Sequence, residues 1–228
     1  MKQISIEELE NIIEYSFKDK LLLRQALTHS SFANEQKINK YGDYERLEFL
    51  GDAVLELVSS EFLFHGNLSM SEGELTKLRA SMVCESALAY CARTFGLEEY
   101  IQLGKGEEMT GGRNKDSIIS DVMEAIIGAL YLDGGMEKAK AFIHKHVLSD
   151  LENKKLFYDS KTTLQEFVQR ENRGILHYEL VNEEGPDHDK KFVVEARIDE
   201  KKIGTGSGRT KKSAEQNAAY EALKMFIK

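Results

Sequence analysis

Tyr44-Glu-Arg-Leu-Glu-Phe-Leu-Gly-Asp-Ala-Val-Leu-Glu-Leu-Val-Ser-Ser-Glu-Phe62 decides the fold of the larger part of this 228-residue chain. Its apolar residues return every three or four positions, the period of an α-helix. At about 100° per residue, with Glu45 set at zero, Leu47, Leu50, Val54, Leu57 and Val58 fall between roughly 120° and 220°, the sector expected to face a core. Glu45, Glu48 and Asp52 fall together at zero, about −60° and about −20°, so three acids share one narrow face. Taken alone, that face is equally the solvated side of an ordinary surface helix. Working outward, the same spacing runs from Ile4 to about Leu151 without hairpin signals, which predicts an all-α domain. Its breaks are expected at Glu35 to Gly42, Gly66-Asn67, Gly104 to Gly112 and Asp133-Gly-Gly135.

A second segment changes the reading of the first. Ile118-Ile-Ser-Asp-Val-Met-Glu-Ala-Ile-Ile-Gly-Ala-Leu130 is apolar nearly all round, so the helix it forms is expected to be buried, with Asp121 and Glu124 as i,i+3 neighbours. Two buried carboxylates repel each other and are costly to desolvate unless a cation, an arginine or a proton relieves them. Pairing with an internal arginine such as Arg46 or Arg79 is one solution; a metal ion is the other. Glu48, Asp52, Asp121 and Glu124 would offer oxygen ligands without His or Cys, a set suited to Mg²⁺ or Mn²⁺. The Glu-x-x-His pairs of a di-iron bundle are missing. Such an ion activates water and offsets charge on a phosphodiester, so hydrolysis of a nucleic-acid backbone is the chemistry that fits. His29, beside Ser30 and Ser31, lacks the context of a nucleophile elbow, and Gly104-Lys-Gly106 lacks the Ser/Thr ending of a phosphate loop.

The formal charge of −8 would count against a nucleic-acid partner, but it is unevenly spread. Residues 1–155 carry 18 Lys and Arg against 26 Asp and Glu, whereas residues 156–228 carry 13 against 13. Two segments with different electrostatic tasks are implied. Asp150-Leu-Glu-Asn-Lys-Lys155 opens a charged linker, with 1–150 before it, 151–158 bridging and 159–228 after it. The last segment reads α-β-β-β-α. Thr163-Leu-Gln-Glu166 has the form of a capping box opening a helix to about Glu171; strands are expected at His177 to Val181, Lys191 to Ile198 and Lys202 to Ser207; a final helix is expected from Thr210 to Ile227. That helix carries Lys211 and Lys212 in its first turn, where only an anion makes them welcome. A helix that happens to begin with two lysines is the plain alternative. Neither a signal region nor an apolar stretch of membrane-spanning length is visible, so a cytoplasmic protein is expected. Cys84 and Cys91 suggest core thiols rather than a disulfide or a zinc site.

At Glu45-Arg-Leu-Glu-Phe-Leu-Gly-Asp-Ala-Val-Leu55, with Gln25-Ala-Leu-Thr-His-Ser30 upstream and Ser120-Asp-Val-Met-Glu-Ala-Ile-Ile-Gly-Ala-Leu-Tyr131 downstream, the chain resembles the ribonuclease III family. The segment from Thr163-Leu-Gln-Glu-Phe through Gly185-Pro-Asp-His-Asp-Lys190 to the final helix resembles the double-stranded RNA-binding domain. The resemblance implies an all-α endonuclease domain followed by an α+β RNA-binding domain, hydrolysing double-stranded RNA with Mg²⁺ (Mn²⁺ substituting) and leaving 5′ phosphates and short 3′ overhangs. Processing of ribosomal and messenger RNA precursors would be its task. Carried over by position, the metal acids are Glu48, Asp52, Asp121 and Glu124, with Asp52 and Glu124 catalytic and Glu45 and Glu72 near the site. Glu72 is explained nearly as well as a helix-start acid. The family also implies a homodimer in which Phe49, close to the acidic face, inserts into the second subunit; packing within its own chain is the alternative. Gln165, Glu166 and Gln169 would enter one minor groove, His188 the next, and Arg209, Lys211 and Lys212 would meet phosphates. His188 is otherwise an ordinary polar loop residue. No small-molecule cofactor and no membrane are expected. A non-catalytic duplex-binding dimer is the competing function, and a helical hydrolase for phosphorylated metabolites, which leaves the tail unexplained, is a third.

Overall fold

The computed structural model describes residues 5–37, 42–149, 160–185, 190–208 and 210–226. The expected linker 151–158, His188 and Arg209 lie outside the described residues. Two compact units are formed, one within residues 1–149 and one within 150–228.

The first unit is helical: α1 (Ile6–Ile13), α2 (Lys20–Ala26), α3 (Ser30–Gln36), α4 (Glu45–Gly66), α5 (Glu72–Val83), α6 (Glu85–Arg93), α7 (Lys105–Met109), α8 (Asp116–Gly134) and α9 (Met136–His146), with short 3-10 turns at Leu97–Tyr100 and Gly112–Asn114. The apolar composition of α8 makes it the central rod: Ile119, Val122, Met123, Ile126 and Ile127 are fully buried. α4, α2, α6 and α9 pack around it. Two glycines set the closest crossing. A Cβ on Gly51 of α4 would stand 1.8 Å from the Glu124 carbonyl oxygen, and one on Gly128 of α8 would stand 2.2 Å from the Leu47 carbonyl oxygen. The two backbones therefore touch, within one turn of the acids each helix carries. At the far end of α8, Asp133 accepts hydrogen bonds from the Tyr15 hydroxyl (2.7 Å) and from the Lys18 and Asp19 N–H groups (both 2.9 Å), tying the α1–α2 turn to the rod.

The second unit comprises α10 (Ser160–Arg170), β1 (Leu176–Glu184), β2 (Lys191–Ile198), β3 (Lys201–Gly208) and α11 (Lys211–Phe226). The strands form an antiparallel sheet in the order β1-β2-β3. Leu164, Val168, Val194, Ile203, Ala218 and Leu223 make its core. Gly206 lets α11 lie directly on β3, since a Cβ there would meet the Ala218 nitrogen at 2.1 Å. Small residues on both sides of this contact are what close the layer.

Several expectations change in detail. α10 begins at Ser160, so Thr163 lies inside the helix and caps nothing; the Ser160 hydroxyl donates to the Gln216 carbonyl (2.9 Å) and Lys161 pairs with Glu215 (2.5 Å), contacts with α11 that extend the helix beyond its local signal. A capping box stands instead at Ser71 and Glu74, opening α5. β1 continues to Glu184, because a bulge after Leu180 restores its pairing with Val193, Phe192 and Lys191. Leu57, placed by the helix period at the margin of the core sector, is 59% exposed. Of the cysteines, Cys91 is buried but Cys84 is exposed, lying in the junction between α5 and α6 rather than within a packed turn.

Candidate active site

Because α4 and α8 touch at Gly51 and Gly128, the turn of α4 that carries Glu48 and Asp52 lies beside the turn of α8 that carries Asp121 and Glu124; Glu48, Asp121 and Glu124 are half-buried and Asp52 is exposed. Their mutual charge is the measure of that proximity. Burial first, then the charges of Asp52, Glu48, Asp121 and Glu56, push the Glu124 carboxyl up to about 8. Burial and the charges of Asp121, Glu45 and Asp52 push Glu48 up to about 7. Asp121 is also raised by burial, with the Tyr44 hydrogen bond, Ser120 and the charge of His29 pulling the other way. No lysine or arginine is among the principal charges acting on these three acids. The arginine solution is not adopted: Arg79 pairs with Glu56 (2.8 Å) and donates to the Ser60 hydroxyl (2.7 Å), and Arg46 is exposed.

Among the described residues, no group of three or more His, Cys, Asp and Glu side chains already converges as a cage for an ion. The donor chemistry nevertheless fits Mg²⁺, which keeps several of its waters and binds through one or two carboxylates together with substrate phosphate. Repelling, desolvated carboxylates also leave a charge deficit that such an ion would fill. The two flanking acids are placed differently. Glu45 is exposed but acts on Glu48, whereas Glu72 is exposed at the start of α5, accepts from the Thr76 hydroxyl (3.0 Å) and is not among the principal charges acting on Glu48, Asp121 or Glu124.

Two further residues adjoin these acids, Tyr44 just before the motif on α4 and His29 within the upstream stretch Gln25–Ser30. Tyr44, only 4% exposed, donates its hydroxyl to Asp121 Oδ2 at 3.2 Å. His29 caps α3, its Nδ1 accepting from the Ser31 N–H at 3.1 Å, and its ring lies 5.7 Å from that of Tyr44, tilted by 59°. A usable signal was the tyrosine itself, at a helix-start position that favours Ser, Thr, Asp or Asn.

Phe49 is 80% exposed on α4, and Phe64 on the same helix is 65% exposed. With Leu57 they leave exposed apolar side chains on the helix that carries Glu48 and Asp52, and Phe49 is not buried against the described residues of its own chain. In the second unit, Gln165, Glu166 and Gln169 are exposed on α10, on the side away from buried Leu164 and Val168. Lys211 and Lys212 are exposed in the first turn of α11, where the Thr210 hydroxyl accepts from the Ser213 N–H at 3.0 Å. No helix is long and apolar enough to cross a membrane, among the described residues.

Comparison with known proteins bears on both units. Residues 19–151 match the family described as Ribonuclease-III-like, and residues 160–225 match the double-stranded RNA binding motif. The chain is 47% identical over 224 residues to Ribonuclease 3 of Halalkalibacterium halodurans, covering 97% of this chain and 85% of that protein. It is 50% identical over 218 residues to Ribonuclease 3 of Caldanaerobacter subterraneus, covering 94% and 95%. Among solved structures, the nuclease domain of ribonuclease III from Campylobacter jejuni is similar at 48% identity and a TM-score of 0.58, over 64% of this chain and 95% of that one. A second structure of that domain concerns flexibility in its dimer-forming region and has a TM-score of 0.57.

Proposed function

The chain belongs to the ribonuclease III family and is an endoribonuclease acting on double-stranded RNA; from that premise we propose that it hydrolyses phosphodiester bonds with Mg²⁺ held by Glu48, Asp52, Asp121 and Glu124. The observation that carries this reading is the pair of raised carboxyls, Glu48 and Glu124, on two helices whose backbones touch, with no lysine or arginine among the principal charges acting on them. When bound, the ion would activate water and offset charge on the scissile phosphate. The chain's own part is to hold the acids ready. At neutral pH and without the ion, Glu124 keeps a proton on its carboxyl, and positive charge beside it favours release of that proton. Asp52 and Glu124 would contact the reacting phosphate region; Asp121 and Glu48 would complete the set, with Glu45 and Glu72 at the margin.

The second unit would grip the duplex. α10, through Gln165, Glu166 and Gln169, suits a minor groove, and Lys211 and Lys212 at the start of α11 suit phosphates, where the helix terminus adds to their attraction. His188 and Arg209 would extend the contacts. The exposed apolar side chains of Phe49, Leu57 and Phe64 support a homodimer, with Phe49 inserted in the second copy. Products with 5′ phosphates and short 3′ overhangs, and structured ribosomal and messenger precursors as substrates, complete the proposal.

Incubation of a long RNA duplex with the protein and Mg²⁺, beside single-stranded RNA and duplex DNA, tests it. Cleavage of the RNA duplex is expected, and Glu124→Gln should abolish cutting while leaving duplex binding in Ca²⁺ within about twofold. No cleavage with either Mg²⁺ or Mn²⁺ would leave a duplex-binding dimer as the function.

A further inference from the structure

We infer that Tyr44 is a positioning residue for the metal-binding carboxylate Asp121, an assignment that rests on the ion site proposed above. Tyr44 occupies the N-cap of α4, but its side chain makes no capping bond there. Small polar residues are favoured at that position because their oxygens satisfy free helix N–H groups. Tyrosine gives up that service. Its phenol instead reaches across to α8 and donates to Asp121 Oδ2 at 3.2 Å. Departures from a local rule of this kind concentrate where a site makes demands on the chain.

The phenol is held from three sides. The Tyr44 backbone N–H donates to the Thr28 carbonyl at 3.0 Å, and the Tyr44 carbonyl accepts from the N–H groups of Leu47 (2.8 Å) and Glu48 (2.9 Å), so backbone bonds fix the residue between the turn before α3 and the first turn of α4. The His29 ring leans on it at 5.7 Å, and His29 is anchored in turn by the Ser31 N–H on Nδ1. Ser120, the neighbour of Asp121 on α8, also acts on the Asp121 carboxyl while its hydroxyl lies 2.9 Å from the Ser117 carbonyl; Tyr44 is the donor that reaches Asp121 from a different element. A carboxylate fixed at Oδ2 presents Oδ1 to a cation in one orientation. Donors behind a ligating group act in this way, and their loss weakens metal affinity by about 10-fold to 100-fold.

The test uses the full-length protein and Mn²⁺ alone, titrated calorimetrically without RNA. Tyr44→Phe is expected to bind Mn²⁺ about 10-fold more weakly than wild type. Its midpoint for Mg²⁺ in duplex cleavage should rise by the same factor, with the maximal rate recovered at saturating Mg²⁺. Its melting temperature in EDTA should stay within a few degrees of wild type. His29→Asn keeps an acceptor for the Ser31 N–H but removes the ring, and should shift the Mn²⁺ affinity in the same direction by less. Equal Mn²⁺ affinity in wild type and Tyr44→Phe overturns the inference while the ion site stands. Loss of helical circular dichroism in Tyr44→Phe would make Tyr44 a packing residue and overturns it too. A wild-type protein that does not bind Mn²⁺ overturns the ion site and this assignment together.

Discussion

Glu124 and Glu48 titrate in the opposite sense to most carboxyls of a folded protein, and stability must follow them. An acid whose folded-state value lies above its unfolded value, here about 8 and about 7 against 4.5, stabilises the fold fully below the lower value. That contribution is lost as pH rises through the higher one. In EDTA we therefore predict that the melting temperature falls between pH 5 and pH 8.5 and that Glu124→Gln flattens the fall, since an amide keeps the shape and removes the charge. Mg²⁺ at pH 8 should raise the wild-type melting temperature more than that of the variant. Scanning fluorimetry across this range decides the matter, and parallel wild-type and Glu124→Gln curves would refute the assigned cause. The placement of Glu48 on the acidic face of α4 and of Glu124 on a buried helix was legible from helical rotation in the first and from all-round apolar composition in the second. The role of Tyr44 was not, because a helix period fixes which side a residue faces but not which residue of a distant segment it will meet.

The helices α4 and α8 act as one device because nothing larger than hydrogen stands between them. Gly128→Ala would put a Cβ 2.2 Å from the Leu47 carbonyl oxygen, a backbone atom that cannot step aside, so the helices must separate. We predict a loss of roughly 1–3 kcal/mol in urea unfolding, as for other overpacked contacts. Cleavage at saturating Mg²⁺ should fall on the order of 100-fold, because displacing positioned groups by about an ångström is expensive. Retention of the wild-type rate in a destabilised Gly128→Ala protein would show that the acids tolerate the shift. A different element, α11, carries the RNA grip in the proposed reading. If Lys211 and Lys212 each meet a phosphate, replacing both by alanine should lower the magnitude of the slope of log affinity against log salt by about 2, uniformly across duplex sequences. An unchanged slope would remove α11 from the phosphate contacts.

At this scale the fold was largely readable. The nearly all-round apolar character of α8 announced a buried rod. What the period could not supply was the partner: Leu57 satisfies it and is nonetheless exposed, and α10 starts ahead of its strongest local signal because contacts to α11 hold its first turn.

The whole molecule separates its electrostatic labour between two units. The excess of acid over base lies entirely in residues 1–155, while residues 156–228 balance. A domain with that excess of acid repels the polyanion it must cut, and at physiological salt the Debye length is only about 8 Å, so no long-range attraction makes up the difference. Affinity must come from the second unit and from the ions. We therefore predict that residues 1–155 alone cut an RNA duplex in Mg²⁺ at low salt, since the four acids lie wholly within them. Raising the salt to 150 mM should cost the truncated protein on the order of 100-fold more activity at subsaturating RNA than it costs the full chain, the loss appearing in KM rather than in the maximal rate. Initial rates of the two proteins on one duplex, measured over a range of salt and RNA concentrations, make the comparison. Matching salt profiles would mean that the nuclease unit binds RNA unaided and that the grip assigned to α10 and α11 serves some other purpose.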